Sequence, residues 1–151
     1  MKITPKKIHR FMVFKLPLAY LAGVRIQSLQ ENVAVIRIKH KWMNQNPFKS
    51  MFWAAQGMAA EMSTGVLVMQ EIAASDKNVS MLVTHQNATF FKKAIGTIVF
   101  TCNSKNTIKD AIQKSIQTKE GQLISLVSEG INEEGILVSR FEFEWSLKVK
   151  Y

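Results

Sequence analysis

Between Lys49 and Glu71 the chain runs for twenty-one residues with a single ionisable side chain, Glu61. The segment SMFWAAQGMAAEMSTGVLVMQ, Ser50 to Gln70, is rich in Met, Ala and Leu, which favours helix. Its two glycines, Gly57 and Gly65, and its alanine pairs predict close approach to other backbone. A helix apolar nearly all round must be buried, so the rest of the chain has to supply a surface that wraps it. Glu61 needs a reason to be there, because a carboxylate taken out of water is costly unless it is paired or put to use.

At 151 residues the chain fits one domain, large enough to bury one core without disulfides or metals. The single cysteine, Cys102, cannot form an internal bridge, and no Cys/His cluster has zinc-ligand spacing. Neither a metal nor a resident cofactor is expected, and the cytoplasm is the expected location. The N-terminal stretch MKITPKKIHRFMVFKLPLAYLAG places basic residues before an apolar run, as a signal peptide does. Lys15 and Pro17 interrupt that run, and no clean apolar core remains. A membrane span through the central segment is also disfavoured: Glu61 at its centre, with Gln56, Ser63 and Thr64 nearby, is expensive in a bilayer. Mean hydropathy is +0.00, as for a domain with one wrapped helix.

The net charge of +9 raises nucleic acid as a partner. The cations are scattered along the chain, and no helix-turn-helix, zinc-finger or RNA-binding aromatic motif accompanies them. A generic solvated basic surface is the simpler reading, and no nucleic-acid partner is expected. The same field attracts an anionic, phosphate-bearing small ligand.

Periodicity then divides the chain. Pro5 to Leu21 reads as a helix in two pieces, with Ile8 and Met12 on a stripe and a break forced by Pro17; the N-terminal helical segment spans 1–22. Val24 to Leu29 and Val33 to Lys41 read as a hairpin across Gln30-Glu31-Asn32. The central helix is placed at 49–74. Val79 to Phe90 and Ala94 to Cys102 read as a second hairpin. Ile108, Ile112 and Ile116, at four-residue spacing, predict an inserted surface helix over 106–119. Gln122 to Ile131 and Ile136 to Tyr151 form the last hairpin. Its final strand alternates strictly, with Phe141, Phe143, Trp145, Leu147 and Val149 on one face.

One sheet of about six antiparallel strands must therefore wrap one long helix, an α+β arrangement. This element order resembles the hotdog fold. The loop and helix NPFKSMFWAAQGMAAEMSTG resemble the signature of hotdog acyl-CoA thioesterases: an Asn, a small-residue turn into the helix, and an acid on its second or third turn. The similarity is closest to the thioesterase-like branch related to phenylacetate-pathway and YiiD-type proteins. It covers the whole chain by element order, and the loop and helix by motif.

The resemblance implies roles. Asn46 matches the loop Asn that orients a water or the thioester carbonyl, and Glu61 matches the carboxylate acting as general base or nucleophile. The amides at the helix N-terminus would polarise the carbonyl. Trp53 and Ala54 stand where a Gly-Gly pair is common, and Lys49 and Ser50 replace a His-Gly-Gly version of the motif. Phe48, Ser50, Trp53, Ala54 and Met58 are the expected substrate-binding residues. Thr84 and Asn87 join them from the strand that faces the helix across a dimer interface. The implied substrate is an acyl thioester of coenzyme A or of an acyl-carrier protein. The implied assembly is a homodimer or a tetramer, with sites between subunits. A non-catalytic acyl- or lipid-binding protein on the same scaffold is the alternative.

The residues themselves leave Glu61 open between two readings. Burial raises a carboxyl pKa and makes it a better base near neutrality. A structural acid would instead pair with a buried partner such as Arg37, His40 or His85, or with a neighbouring subunit. Ser63 and Thr64 either bond to Glu61 or satisfy the helix backbone. His9, His40 and His85 form no motif, Cys102 reads as core, and Met51, Met58, Met62 and Met69 suit either an adaptable pocket or plain packing.

Overall fold

Alternating apolar residues and one helix of small side chains produce a curved sheet closed over that helix. The computed structural model describes residues 3–151. In chain order the elements are α1 (Pro5–Lys15), α2 (Pro17–Ala22), β1 (Arg25–Leu29), β2 (Val33–Lys39), a single 3-10 turn (Trp42–Asn44), α3 (Trp53–Ser75), β3 (Val79–Phe90), β4 (Thr97–Asn103), α4 (Thr107–Thr118), β5 (Gln122–Ile131) and β6 (Leu137–Val149). The six strands form one antiparallel sheet in the order β1-β2-β4-β5-β6-β3.

The break between the first two helices follows its sequence signals. Thr4 caps α1 through its hydroxyl, and Pro17 opens α2, where its missing amide costs nothing. Gly23, at φ 98°, closes α2 in the left-handed conformation, and the Val24 amide reaches back to the Ala19 carbonyl at 3.0 Å.

α3 lies on the sheet through Ala55, Ala59, Ala60, Val66 and Leu67, all buried. Gly57 brings it close to the Phe141 ring and Gly65 to the Trp145 ring. Three polar ties fix its rotation on the sheet. Ser63 Oγ bonds Ser128 Oγ at 2.7 Å, Ser139 Oγ donates to Gln56 Oε1 at 2.8 Å, and Trp145 Nε1 donates to Thr64 Oγ1 at 3.0 Å. α4 packs its Ile108, Ala111 and Ile112 face inward as its spacing predicts.

Two expectations are corrected. The central helix begins at Trp53, not at 49: Lys49 sits at φ 60°, Met51 bridges Gln45 and Phe52 is extended, so 49–52 lies outside the helix. β3 and β4 do not form a hairpin. β3 pairs with β6 at the sheet's end, whereas β4 lies between β2 and β5. Their connection is no tight turn: Phe91 N bonds Val138 O, and Ala94 O accepts from Met51 N, so the segment carries the chain across the end of the sheet.

The two sheet edges differ. Along β1 the Ile26 amide donates to His9 Nε2 at 3.0 Å, so α1 covers that short edge. β3, twelve residues long, has no strand on its outer side among the described residues.

Candidate active site

α3 carries Glu61 two turns beyond its first residue. The side chain is half-buried and opens into a pocket of about 290 Å³ walled by Leu16, Leu18, Met58 and Met62, with Lys15 at its margin. Its carboxylate accepts no hydrogen bond and makes no ion pair among the described residues, where the ion pair within 4 Å is Glu129–Arg140. Arg37 and His85 are exposed and His40 Nε2 is itself unpartnered, so none of the three supplies a structural counter-charge. Burial alone pushes the Glu61 carboxyl above the usual carboxylate range. The adjacent hydroxyls serve other groups: Thr64 donates to Glu61 O at 2.9 Å and Ser63 to Ala60 O at 2.7 Å.

Asn46 stands elsewhere, holding its own loop together. Its Oδ1 accepts from the Phe48 and Ser50 amides at 2.9 and 3.2 Å, and its Nδ2 donates to Ser50 Oγ at 3.0 Å. This is an Asx turn, the arrangement by which Asn shapes a backbone reversal. The turn delivers the chain to α3, whose first amides, on Trp53 and Ala54, have no acceptor among the described residues. Beside it opens a pocket of about 510 Å³, lined by Phe48, Ser50, Trp53, Gln56 and Phe90 with Lys92 and Lys93 at the connection. Trp53 stands edge-on to Phe52 at 5.8 Å and is half exposed at the helix entrance. Ala54 and Met58 line a third pocket of about 370 Å³ with Leu18, Leu21 and Met43. Met58 is shared with the Glu61 pocket.

Within one chain Glu61 and the Asn46 turn do not meet. Glu61 is eight residues beyond Trp53, about 12 Å along a helix that rises 1.5 Å per residue. The structure brings Asn46, Phe48, Ser50 and Trp53 together at one end of α3, and Glu61 with Met58 further along it.

Thr84 and Asn87 are not in either group. The β3–β6 register shifts between Val83 and His85, a bulge that reverses the alternation beyond it. Asn87 therefore stands opposite Glu142, on the sheet face away from α3, and Thr84 donates to the Glu144 carboxylate at 2.7 Å. Gln86, opposite Phe143, occupies the helix-facing row instead. Sequence reasoning also passed over Lys15 and Leu18, which wall the Glu61 pocket because Pro17 turns the chain there. No group of three or more His, Cys, Asp or Glu among the described residues is placed to hold a metal ion.

A model of the family described as "Domain of unknown function (DUF4442)" matches residues 4–147. No curated protein matches in sequence. Solved structures do match in fold. A Pseudomonas aeruginosa protein described as of unknown function and a "probable thioesterase" is 18% identical, with 97% of each chain covered and a TM-score of 0.83. A Haemophilus influenzae thioesterase is 10% identical over 99% of this chain and 93% of that one, with a TM-score of 0.76. A Staphylococcus aureus thioesterase is 14% identical over 87% of this chain and 98% of that one, with a TM-score of 0.70. The Staphylococcus protein has been solved with a glutamine replaced by alanine and with a glutamate replaced by alanine, residues fifteen positions apart in its own chain.

Proposed function

Because this chain belongs to the DUF4442 family and carries the hotdog fold, we propose from the state of Glu61 that it hydrolyses acyl thioesters, coenzyme A or acyl-carrier-protein esters being the substrate class. The observation that carries this reading is a half-buried acid with no partner among the described residues of its own chain, opening into an apolar pocket. A structural acid in that position would be paired, and an unpaired one is retained at the expense of stability.

The chemistry follows from the groups available. The Glu61 carboxylate takes a proton from water, whose oxygen attacks the thioester carbonyl carbon. The resulting oxyanion is stabilised by donors such as the free amides of Trp53 and Ala54. Collapse breaks the C–S bond, and the departing thiolate takes up the proton, leaving a carboxylic acid and a free thiol. The apolar walls accept the acyl chain, and Lys92 and Lys93 suit a phosphate-bearing carrier. Asn46 acts by shaping the turn that presents the amides.

The separation of Glu61 from that turn favours a site shared by two copies. The open β3 edge offers the means, since an exposed strand edge of this length is a template for pairing. A homodimer joined along β3 would bring Glu61 of one subunit toward the turn of the other. The spacing of the two residues replaced in the Staphylococcus relative, fifteen, is that between Asn46 and Glu61, which supports treating these positions as a functional pair.

A non-catalytic acyl-binding role is the second reading, favoured by Trp53 standing at the helix entrance. The two are separated by following thiol release from short, long and aromatic acyl-CoA esters with wild type and Glu61→Gln. Loss of a general base lowers the rate by about 10²- to 10⁴-fold. Absence of hydrolysis above background across the panel would leave binding alone.

A further inference from the structure

The net charge is confined to one part of the chain. Residues 1–50 hold ten of the twenty lysines and arginines and only one of the eleven acids, Glu31, so the other 101 residues balance ten cations with ten acids. α1 and α2 contain no acid at all. On α1 the side chains of Lys6, Arg10 and Lys15 are exposed. The same two helices leave Phe14 76%, Leu18 69% and Leu21 56% exposed. Leu18 and Leu21 share a groove with Met43, and the neighbouring Trp42 is 80% exposed. The Lys41 ammonium lies beside Gly23 at the end of α2.

Large apolar side chains standing among cations, with no acid on either helix and the half-buried Glu61 sharing a pocket with Lys15 and Leu18, make up a surface that enters the headgroup region of a bilayer while its lysines and arginines meet lipid phosphates. We propose that α1, α2 and the Trp42 turn form a docking surface for an anionic phospholipid membrane. A second copy is a poor occupant, because a two-fold contact through this face sets its cations against themselves. Nucleic acid matches the charge but gives no reason for exposed leucines. The inference stands on the exposed side chains of this patch and needs no thioester hydrolysis, although Leu18 is shared with the wall of the Glu61 pocket.

The test is co-sedimentation of the purified chain with vesicles of phosphatidylcholine alone and of phosphatidylcholine with phosphatidylglycerol in equal parts. Wild type is expected to pellet with the anionic vesicles at least tenfold more strongly than with the neutral ones, and less so at about 0.5 M salt, where charges are screened within a few ångströms. Phe14→Ser with Leu18→Ser, and separately Lys6→Glu with Arg10→Glu, should each reduce binding about tenfold at unchanged melting temperature. Lys92→Glu with Lys93→Glu should leave binding intact. Equal binding to both vesicle types would overturn the proposal. So would unaltered binding by both helix variants, retention on a DNA duplex but not on vesicles, or conversion of a wild-type oligomer to a smaller one by the Phe14/Leu18 variant.

Discussion

Glu61 and Gly65 are paired across one helical turn: a Cβ placed on Gly65 would stand 3.2 Å from Glu61 Oε1 and 3.4 Å from the Trp145 ring. The carboxylate thus occupies space that any larger residue at position 65 would take. The expected result of Gly65→Ala is a rate of thioester hydrolysis about tenfold lower, since small displacements of a catalytic group are expensive. Stability should stay within about 1 kcal/mol of wild type, because the helix gains roughly that much from Ala while the crowding opposes it. Steady-state kinetics beside a denaturant titration check both halves, and unaltered kcat would show that Glu61 tolerates the shift.

Burial of Glu61 also predicts a dependence of stability on pH. The folded-state pKa lies above the ordinary 4.5, so the neutral form is the one the fold favours. That contribution is fully present below the unfolded pKa and is lost as pH rises through the folded value. At pH 7 the ionised side chain weakens the fold. Glu61→Gln is therefore expected to melt at a higher temperature than wild type at pH 7, with the gap closing toward pH 4. A less stable Gln variant at pH 7 would mean that the carboxylate has a stabilising partner.

His9 gives the opposite slope. Its neutral Nε2 accepts from the Ile26 amide, and burial first, then Arg25 and Arg37, hold its pKa below 6.5. Stability from this contact is present above the unfolded pKa and is lost as pH falls toward the folded one. Hydrogen exchange at the Ile26 amide is expected to lose protection, relative to the core, as pH drops from about 7 to 5. His9→Ala should cost about 1 kcal/mol, the usual worth of one hydrogen bond, and remove this pH dependence. Retained dependence in that variant would place the titrating group elsewhere.

Much of this arrangement is legible in the sequence. The composition around Leu67 announced a buried helix, and the strict alternation from Phe141 to Val149 announced a half-buried strand. The hairpin assigned to β3 and β4 was wrong because local β pattern says nothing about which strand is the neighbour; the tethers from Phe91 to Val138 and from Ala94 to Met51 decide that. The facing of Asn87 is not readable from the pattern, because one extra residue near Thr84 inverts every later side chain, and a bulge of that kind leaves no periodic trace. Glu61 was visible as an anomaly. That it has no partner required the packed neighbours, since Arg37 and His40 were equally good candidates on sequence alone.

The proposal that two subunits share the site predicts complementation. Asn46→Ala and Glu61→Gln should each be nearly inactive alone, whereas unfolding and refolding them together should restore about a quarter of wild-type activity, as random pairing in a two-fold dimer gives one intact site in half of the molecules. No recovery in mixtures shown to contain heterodimers would place both residues in a single-chain site.

The most direct measurement is the pH profile of kcat/KM for the best acyl-CoA substrate in wild type and in Glu61→Gln. If the Glu61 carboxylate is the base, the wild-type rate rises with pH through one carboxyl ionisation above 4.5, and the Gln variant loses that limb along with about 10²- to 10⁴-fold in rate. A Gln variant that keeps both the limb and the rate would contradict the account, because the ionising group would then be some other residue.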